Sequence, residues 1–472
     1  MKIHWIKEQQ IFSIRELECL LNCDADSKAI IDRLEYLGIF QRTLSKTDCL
    51  GVQTETIGFL HTNIDLKSQN TALALHFVGI LVVGEVALIC FPKYIAKKEP
   101  YQEMGQIFKV FEKPQIEPFL LIDYDQEREI SLNWLEIIRD LIQDFLEHGL
   151  YCHLEKFYEK NGQGIIDWDR TISTMQPLFD ECSSYYLNFI TRSRRKNADY
   201  FTKLHACILT QISKYLHDLG IDRLFDVPEI NLFNGSINDF GNQDFILGQI
   251  EKEMGRQFSM CKQHVLKLMS IYVRNYFDHK GISIFGTTHF EQVWEEVLSF
   301  ILDNQLDERL IDLNLGDKLS EKYDPLERLI DIIENPLWTF TKKRVLDTFI
   351  PDVITLKEWE LKHYFIICDA KYYVPHLDEG IAPTNQPGIE AVAKQYCYEM
   401  AYREFICDHN LIARNCFLFP TEEADVLSKG EVKMKIFEKA GLQPIRVRYI
   451  PAMKAYELFL KNKRYDLRDL DL

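Results

Sequence analysis

The sequence lacks the marks of several protein classes. No apolar run reaches the length of about 18 residues that a membrane-spanning helix needs. The longest apolar stretch, residues 77–94, is broken by glycine, glutamate and proline and predicts two strands. None of the 12 cysteines belongs to a CxxC pair, which argues against a zinc finger or ribbon. Cysteines within apolar segments and the lack of a secretory signal lead us to expect a cytoplasmic protein that does not contact membranes.

Positive charge is also scarce. The 472 residues include 55 Lys and Arg against 72 Asp and Glu, a net charge of −17. We do not expect such a chain to coat nucleic acid by general attraction, although a local basic groove with bound metal can still hold DNA. The sequence contains no GxxxxGK[ST] phosphate loop, so any nucleotide hydrolysis would have to come from a partner.

Four segments of the chain differ in their patterns. Residues 1–70 include two short amphipathic helices within 11–42, which are typical of a winged helix and equally of a plain helical pair. Residues 71–130 predict a small β module, and residues 131–245 predict a helical middle region. Residues 246–472 predict an α/β unit, with helices at 246–279, 288–303 and 388–405, strands near 347–355, 362–369 and 415–419, and a final strand and helix. The expected fold class is therefore multidomain α+β.

Two basic features precede the α/β unit. Three arginines and a lysine lie within residues 192–196, a cluster more typical of a solvated face than of a phosphate contact. Lys93 follows Pro92 at a predicted strand end. We expect Lys93 to be exposed, where it would either contact a partner or protect an edge strand from aggregation.

Side chains suited to phosphodiester hydrolysis lie in the α/β unit. Asp352 follows Pro351 in a strand-like stretch, and 17 residues later the apolar strand YFIIC ends in Asp369-Ala370-Lys371. Because side chains alternate along a strand, Asp369 and Lys371 share one face. Two carboxylates can hold Mg²⁺, which polarises a phosphate and lowers the pKa of bound water, and a lysine can steer that water and offset negative charge. A simple ion pair at the strand end is the plainer interpretation.

Helices on either side supply further candidates. Glu291 and Glu295 are four residues apart and therefore share a helix face, from which one acid could complete a metal shell. The pattern does not decide between them, and either could instead be a solvated residue. Lys394, Gln395 and Tyr398 lie within about one turn of the helix that follows the strand pair. Gln395 could position water or phosphate.

Several stretches together resemble a known family. GTTHFEQVWEEV, IPDVIT, FIICDAKYY, PGIEAVAKQYCYEMAY and CFLFP are similar to the LlaJI-type restriction endonucleases. These are relatives of the McrC subunit of McrBC restriction systems, within the PD-(D/E)XK nuclease superfamily. FVGILVVGEVALICFPKYI and GIIDWDRTI resemble upstream elements of McrC-like chains. The resemblance extends from about residue 77 to residue 419.

The resemblance implies a C-terminal α/β PD-(D/E)XK nuclease domain. It implies that Asp352, Asp369 and Glu295 bind Mg²⁺, with Mn²⁺ as a substitute, that Lys371 assists the attacking water, and that Gln395 is an accessory catalytic residue. Related nucleases often carry a tyrosine four residues after the glutamine. Here that position is Glu399 and the nearby aromatic residue is Tyr398, which puts the role of the aromatic in doubt.

The resemblance also implies a biological role. We expect a site-specific endodeoxyribonuclease subunit of a restriction system, which defends against viruses by cutting double-stranded DNA and is activated by a McrB-like AAA+ GTPase. The alternative is a non-catalytic adaptor that stimulates a partner GTPase or binds DNA. The presence of both aspartates and the lysine argues against the adaptor, because a decayed site would usually lose at least one of them.

Overall fold

The structure is a computed structural model that describes most of the chain. The described residues are 2–21, 27–43, 72–84, 86–116, 134–180, 183–197, 199–218, 220–225, 227–278, 282–316, 318–339, 343–344, 348–377 and 380–472. Within these ranges no helix has the length and apolar composition to span a membrane. The cysteines in these ranges are all free thiols.

The contacts divide the chain into two compact units. Unit 1 contains Met1–Ile122, Arg223–Phe225 and Ile284–Leu472, and unit 2 contains Asp123–Asp222 and Asp226–Ser283. Unit 1 is therefore built mainly from two distant parts of the chain, joined by the short segment 223–225, a different grouping from the four segments predicted from the sequence. The mixture of helices and several sheets confirms the expected multidomain α+β class.

The N-terminal part of unit 1 forms two sheets. The first has the order β1-β6-β5-β12, and the second has the order β2-β4-β3. The strands are β1 (Lys2–Lys7), β2 (Ile11–Ser13), β3 (Phe40–Thr43), β4 (Ala72–Leu75), β5 (Val78–Val83), β6 (Val86–Phe91) and β12 (Ile282–Thr287), and the helices are α1 (Ile14–Leu21), α2 (Ser27–Tyr36) and α3 (Tyr101–Phe111).

These elements agree in part with the sequence. The two short helices of the first segment are present, and the side chains of Ser13 and Glu16 cap the start of α1 reciprocally. Residues 22–26 and 44–70 of the predicted winged-helix segment lie outside the described residues. The expected pair of strands between residues 77 and 94 is confirmed as β5 and β6, whose described residues are all buried. The expectation of a mostly β module missed helix α3, which buries its apolar face at every third or fourth residue.

A close backbone contact explains two glycines of the first sheet. Gly79 on β5 and Gly286 on β12 have φ of 149° and 156°. A Cβ at Gly79 would lie 2.2 Å from the backbone oxygen of Phe285, and a Cβ at Gly286 would lie 2.2 Å from that of Val78. Only glycine fits such an approach, so both positions are needed to bring β12, and the helix that follows it, against β5.

Unit 2 combines helices with small antiparallel sheets. Strand β11 pairs with both β7 and β8, and β9 pairs with β10. The elements are α4 (Trp134–His148), β7 (His153–Lys160), β8 (Ile165–Ile166), α5 (Trp168–Thr174), β9 (Leu178–Asp180), β10 (Ser183–Tyr185), β11 (Ile190–Asn197), α6 (Tyr200–Asp218), α7 (Gln243–Met254) and α8 (Met260–Asp278).

Helices α4, α5 and α6 lie in the expected helical middle region, but strands β7 to β11 also lie there, between residues 153 and 197. The long flanking helices were found correctly, but the basic cluster at 192–196 lies on strand β11. The strands β7 and β11, HLEKFYEK and ITRSRRKN, are rich in polar residues. They do not show the regular apolar alternation that reveals a half-buried strand, and their pairing over eight residues defines them instead.

The C-terminal part of unit 1 is a five-stranded sheet with helices. Its order is β15-β16-β17-β19-β18, with β16, β17 and β19 parallel and both edge strands antiparallel. The elements are α9 (Phe290–Ile301), β13 (Leu337–Trp338), β14 (Lys343–Arg344), β15 (Val353–Trp359), β16 (Lys362–Ala370), α10 (Ile389–Ala401), α11 (Arg403–Asp408), β17 (Ile412–Thr421), β18 (Leu427–Val432), α12 (Lys435–Lys439), β19 (Ile445–Pro451) and α13 (Ala452–Leu460).

The sequence predicted most of this sheet. The strands near 347–355, 362–369 and 415–419 correspond to β15, β16 and β17, and the last strand and helix correspond to β19 and α13. The helix predicted over 388–405 is divided at Tyr402 into α10 and α11. Edge strand β18 was missed because its sequence, LSKGEV, is mostly exposed and polar.

Candidate active site

The hairpin of β15 and β16 places two aspartates together. The strands pair in antiparallel register from Val353 opposite Cys368 to Trp359 opposite Lys362. Continued by one residue, this register brings Asp352 opposite Asp369. The Ala370 N–H donates a hydrogen bond of 2.8 Å to Asp352 Oδ2. Asp352, which was expected within the strand, thus lies just before β15 with its carboxylate held against the end of β16.

Asp369 and Lys371 form an ion pair at the end of β16. Lys371 Nζ lies 2.9 Å from Asp369 Oδ2, and the Asp369 side chain is buried while that of Lys371 is half-buried. The Lys371 N–H donates to the Leu418 carbonyl oxygen of β17 at 2.9 Å. Asp369 and Lys371 thus lie on one face of the strand, as the alternation of side chains predicted, and the lysine is held beside both aspartates.

Helix α9 brings Glu295 into the electrostatic range of this group. Burial raises the pKa of Glu295 to about 7, Lys371 opposes that rise, and Asp369 adds to it. Glu291, one turn earlier, pairs with His289 at 3.1 Å between Nδ1 and Oε1, and both side chains are exposed. Of the two acids on this helix face, Glu295 is therefore the one that faces the aspartates and Lys371.

The carboxylates perturb one another strongly. Burial raises the pKa of Asp352 well above its usual range, and the neighbouring Asp369 and Glu295 raise it further. Burial alone would lower the pKa of Lys371, but the surrounding carboxylates outweigh that effect and raise it. The three carboxylates, when ionised, carry more negative charge than Lys371 balances by itself, a condition that a bound cation would relieve.

The donor set suits Mg²⁺ by its chemistry. Asp352, Asp369 and Glu295 offer only carboxylate oxygens, the ligands that hard cations prefer, and Mg²⁺ usually takes one or two carboxylates and keeps several waters. Among the described residues, no three His, Cys, Asp or Glu side chains converge closely enough to form a ready metal cage. The two aspartates would thus be the direct protein ligands, with Glu295 at longer range.

Gln395 lies beneath the site, fully buried on α10. Its Nε2 donates to the Ile367 carbonyl oxygen and to Asn415 Oδ1, each at 3.2 Å. Asn415 in turn donates to the Glu399 carboxylate, and burial raises the pKa of Glu399 to about 7. In this position Gln395 supports strand β16 from the interior, so that contact with a substrate phosphate would require it to move.

Tyr398 holds the segment that precedes Asp352. Its hydroxyl donates to the Ile350 carbonyl oxygen at 2.7 Å, and its ring is buried. The exposed Lys394 Nζ lies 5.6 Å from the centre of that ring. The aromatic residue whose role the sequence left in doubt therefore fixes the backbone beside an aspartate.

The expectation that Lys93 is exposed is wrong. Its side chain is half-buried, and its Nζ lies 4.3 Å from the centre of the Tyr372 ring, immediately after Lys371. Its backbone N–H donates to Glu8 Oε2 at 3.1 Å. Glu8 and Tyr372 could not be predicted as its neighbours, because neither lies in a sequence pattern that links the N-terminal sheet to the α/β sheet.

Both sequence comparisons find similarity to restriction enzymes. The model of the LlaJI restriction endonuclease family matches residues 77–315 and 319–456. The chain is similar to the type II restriction enzyme BsuMI component YdjA of Bacillus subtilis (strain 168), with 26% identity over 426 residues, 84% of this chain and 83% of that protein.

Two solved structures from Thermococcus gammatolerans are also similar. A chain of the refined half-complex from the tetradecameric assembly of McrB AAA+ hexamers with bound McrC has 15% identity and a TM-score of 0.37, covering 98% of this chain and 99% of that one. A chain of the cryo-EM structure of the McrBC complex has 13% identity and a TM-score of 0.26, covering 63% of this chain and 87% of that one. Since the family model spans most of the sequence, this protein belongs to the LlaJI restriction endonuclease family.

Proposed function

We propose that this protein is the nuclease subunit of a restriction system and that it hydrolyses phosphodiester bonds of double-stranded DNA with Mg²⁺. The observation that carries the proposal is the group of Asp352, Asp369 and Lys371 at one end of the β15-β16 hairpin. Membership of a restriction endonuclease family supports it. The C-terminal sheet, with its antiparallel hairpin followed by parallel strands, would be the PD-(D/E)XK nuclease fold.

The residues of the site have separable roles in this proposal. Asp352 and Asp369 would hold Mg²⁺, and the ion would supply a nucleophilic water and charge stabilisation. Lys371 keeps its proton, because the carboxylates around it raise its pKa, and its ammonium can donate hydrogen bonds to a phosphate oxygen. Glu295, with its pKa near 7, can hold or release a proton at neutral pH, which suits a group beside an attacking water.

A McrB-like AAA+ GTPase is the proposed partner. The sequence has no phosphate loop of its own, and its resemblance to McrC-like chains points to a GTPase subunit. Unit 2 carries many exposed large apolar side chains, and such side chains mark interaction sites where they form a contiguous patch. Those between residues 165 and 187 are Ile165, Trp168, Ile172, Leu178, Phe179, Tyr185 and Leu187.

A plasmid cleavage assay tests the proposal. Purified protein is incubated with plasmid DNA, with and without a McrB-like GTPase from the same genome, in Mg²⁺ or EDTA and with or without GTP. We expect double-strand cleavage only with Mg²⁺, GTP and the partner together. Stimulated GTP hydrolysis without any cleavage would favour the non-catalytic adaptor instead. Efficient site-specific cleavage by the protein alone would refute the proposed need for a partner but would support the proposed nuclease activity.

A further inference from the structure

Tyr372 links the N-terminal sheet to the segment that carries Lys371. It directly follows Lys371, its side chain is buried, and its hydroxyl donates a hydrogen bond to the Glu8 carboxylate at the end of β1. The Lys93 N–H, just past the end of β6, donates to Glu8 Oε2 at 3.1 Å and to the Tyr372 hydroxyl oxygen at 3.3 Å. These three residues belong to unit 1 and close a hydrogen-bonded triangle.

The same tyrosine touches the helix that carries Glu295. Its ring centre lies 5.2 Å from that of Phe290, the first residue of α9, and 6.3 Å from that of Tyr94 in an edge-on arrangement. Tyr372 therefore contacts the ends of two N-terminal strands and the start of the helix that bears the candidate acid. A shift of this ring would displace both Lys371 and the start of α9, because packed interiors transmit displacements.

Lys371 needs such support because it lies beyond the end of strand β16. The regular strand stops at Ala370. The hydrogen bond from the Lys371 N–H to the Leu418 carbonyl oxygen is the last backbone bond that continues the pairing of β16 with β17. The residues that follow have no regular structure until the short bridge at His376. The direction of the Lys371 side chain is therefore set by its ion pair with Asp369 and by the anchoring of its neighbour, Tyr372.

A carboxylate at this place is not needed for packing alone. Burial raises the pKa of Glu8, which shows that its charge is disfavoured there even though Lys93 and Tyr372 oppose the rise. Apolar residues of similar shape could fill such a position at little or no cost in stability. What a hydrogen-bonded acid adds is a fixed position for the hydroxyl of Tyr372.

We propose that Glu8 and Tyr372 are positioning residues of the nuclease site, through which the N-terminal sheet fixes Lys371 for cleavage. This inference rests on the nuclease function proposed above. It makes the N-terminal sheet part of the catalytic unit, although none of its residues need touch the substrate. Because a misplacement of about 1 Å can cost 100-fold in rate, loss of the Tyr372 hydroxyl should slow cleavage without weakening DNA binding.

The test compares three conservative variants in the full chain with its partner GTPase. Tyr372→Phe removes only the hydroxyl, and Glu8→Met removes the oxygen that accepts its hydrogen bond while keeping a side chain of similar length. Tyr94→Phe is the matched control, because it removes another tyrosine hydroxyl of the same region, one that bonds to the Tyr456 hydroxyl at 3.0 Å. The measurements are the single-turnover cleavage rate in Mg²⁺, the Kd for the same DNA in Ca²⁺, and the Tm.

We expect both Tyr372→Phe and Glu8→Met to lower the cleavage rate by at least tenfold with an unchanged Kd. Combining them should lower it no further than the more severe single variant, because both act through one hydrogen bond. Tyr94→Phe should keep the wild-type rate. Wild-type rates in both test variants, or a loss in Tyr94→Phe equal to that in Tyr372→Phe, would overturn the inference. If the proposed function itself is wrong, the unmodified complex will cut no DNA, a failure visible before any variant is compared, and the inference falls with it.

Discussion

Replacing Asp352 by asparagine separates the electrostatic role of this residue from its structural one. Asp352 Oδ2 accepts the Ala370 N–H at 2.8 Å, and the side-chain oxygen of an asparagine can accept the same bond. The variant therefore keeps the contact between β15 and β16. It loses the negative charge beside Asp369, which is the charge that a metal ion would require.

The expected effects on stability and activity have opposite signs. A raised carboxyl pKa means that the folded chain holds the proton more tightly than the unfolded chain. The charged Asp352 therefore destabilises the fold at pH values above its unfolded pKa of about 4. A tenfold rise in proton affinity corresponds to about 1.4 kcal/mol, so at pH 8 in EDTA the Tm of Asp352→Asn should rise by about 2–4 °C. Cleavage should fall by a factor of about 10²–10³, as for other electrostatic catalytic groups.

The assay follows Tm with and without Mg²⁺ alongside the cleavage rate. Mg²⁺ should raise the Tm of the wild type, because a ligand that binds only the folded state stabilises it, and should leave that of Asp352→Asn almost unchanged. Glu358→Gln is the control. Glu358 is an exposed acid on strand β15, next to the turn of the hairpin and at the opposite end of the strand from Asp352. An Asp352→Asn protein that cuts DNA at the wild-type rate, or that still gains stability from Mg²⁺, would refute the reasoning.

Three further outcomes are expected. Lys371→Ala should lower cleavage by at least about 100-fold while the Tm increase caused by Mg²⁺ persists, which a cleavage assay and a melting curve show together. Glu295→Gln should weaken cleavage and its dependence on Mg²⁺ while Glu291→Gln changes little, and the reverse ranking in a Mg²⁺ titration would transfer the role to Glu291. Burial lowers the pKa of His205 in unit 2 to about 4, so the unfolded chain takes up the proton first as pH falls. Chemical denaturation should show about 3 kcal/mol lost between pH 7 and pH 4, and His205→Gln should remove most of that loss.

The sequence predicted the parts of the molecule whose signals are local. Strand β16 was recognisable because the apolar run YFIIC ends abruptly in Asp369 and Lys371, and alternation alone placed those two side chains on one face. The role of Gln395 could not be predicted in the same way. Helix periodicity predicts on which face of the helix a residue lies. The burial of Gln395 beneath Ile367 depends instead on how α10 packs on the sheet.

Contacts between distant segments of the chain left no local pattern in the sequence from which they could be predicted. Lys93 looked like an exposed strand-end lysine because the sequence does not show that the ring of Tyr372 lies beneath it. Glu8 and Tyr372 are 364 residues apart, and neither has a periodic neighbour that would indicate the other. The strands β7 and β11 were not predicted for a related reason. A polar strand is recognised by the strand that it pairs with, and that partner lies outside any short stretch of sequence.

The division of unit 1 between two ends of the chain has a consequence for synthesis. Glu8 leaves the ribosome before unit 2 is made, whereas Tyr372 and strand β19 are made only after the whole of unit 2. Since domains fold as units, generally from the N-terminus onward, the site cannot assemble on a partly synthesised chain. Chains stalled before residue 440 should therefore cut no DNA even with Mg²⁺ and the partner present. If the proposed function holds, translation order would thus protect a host genome from unfinished copies of the nuclease.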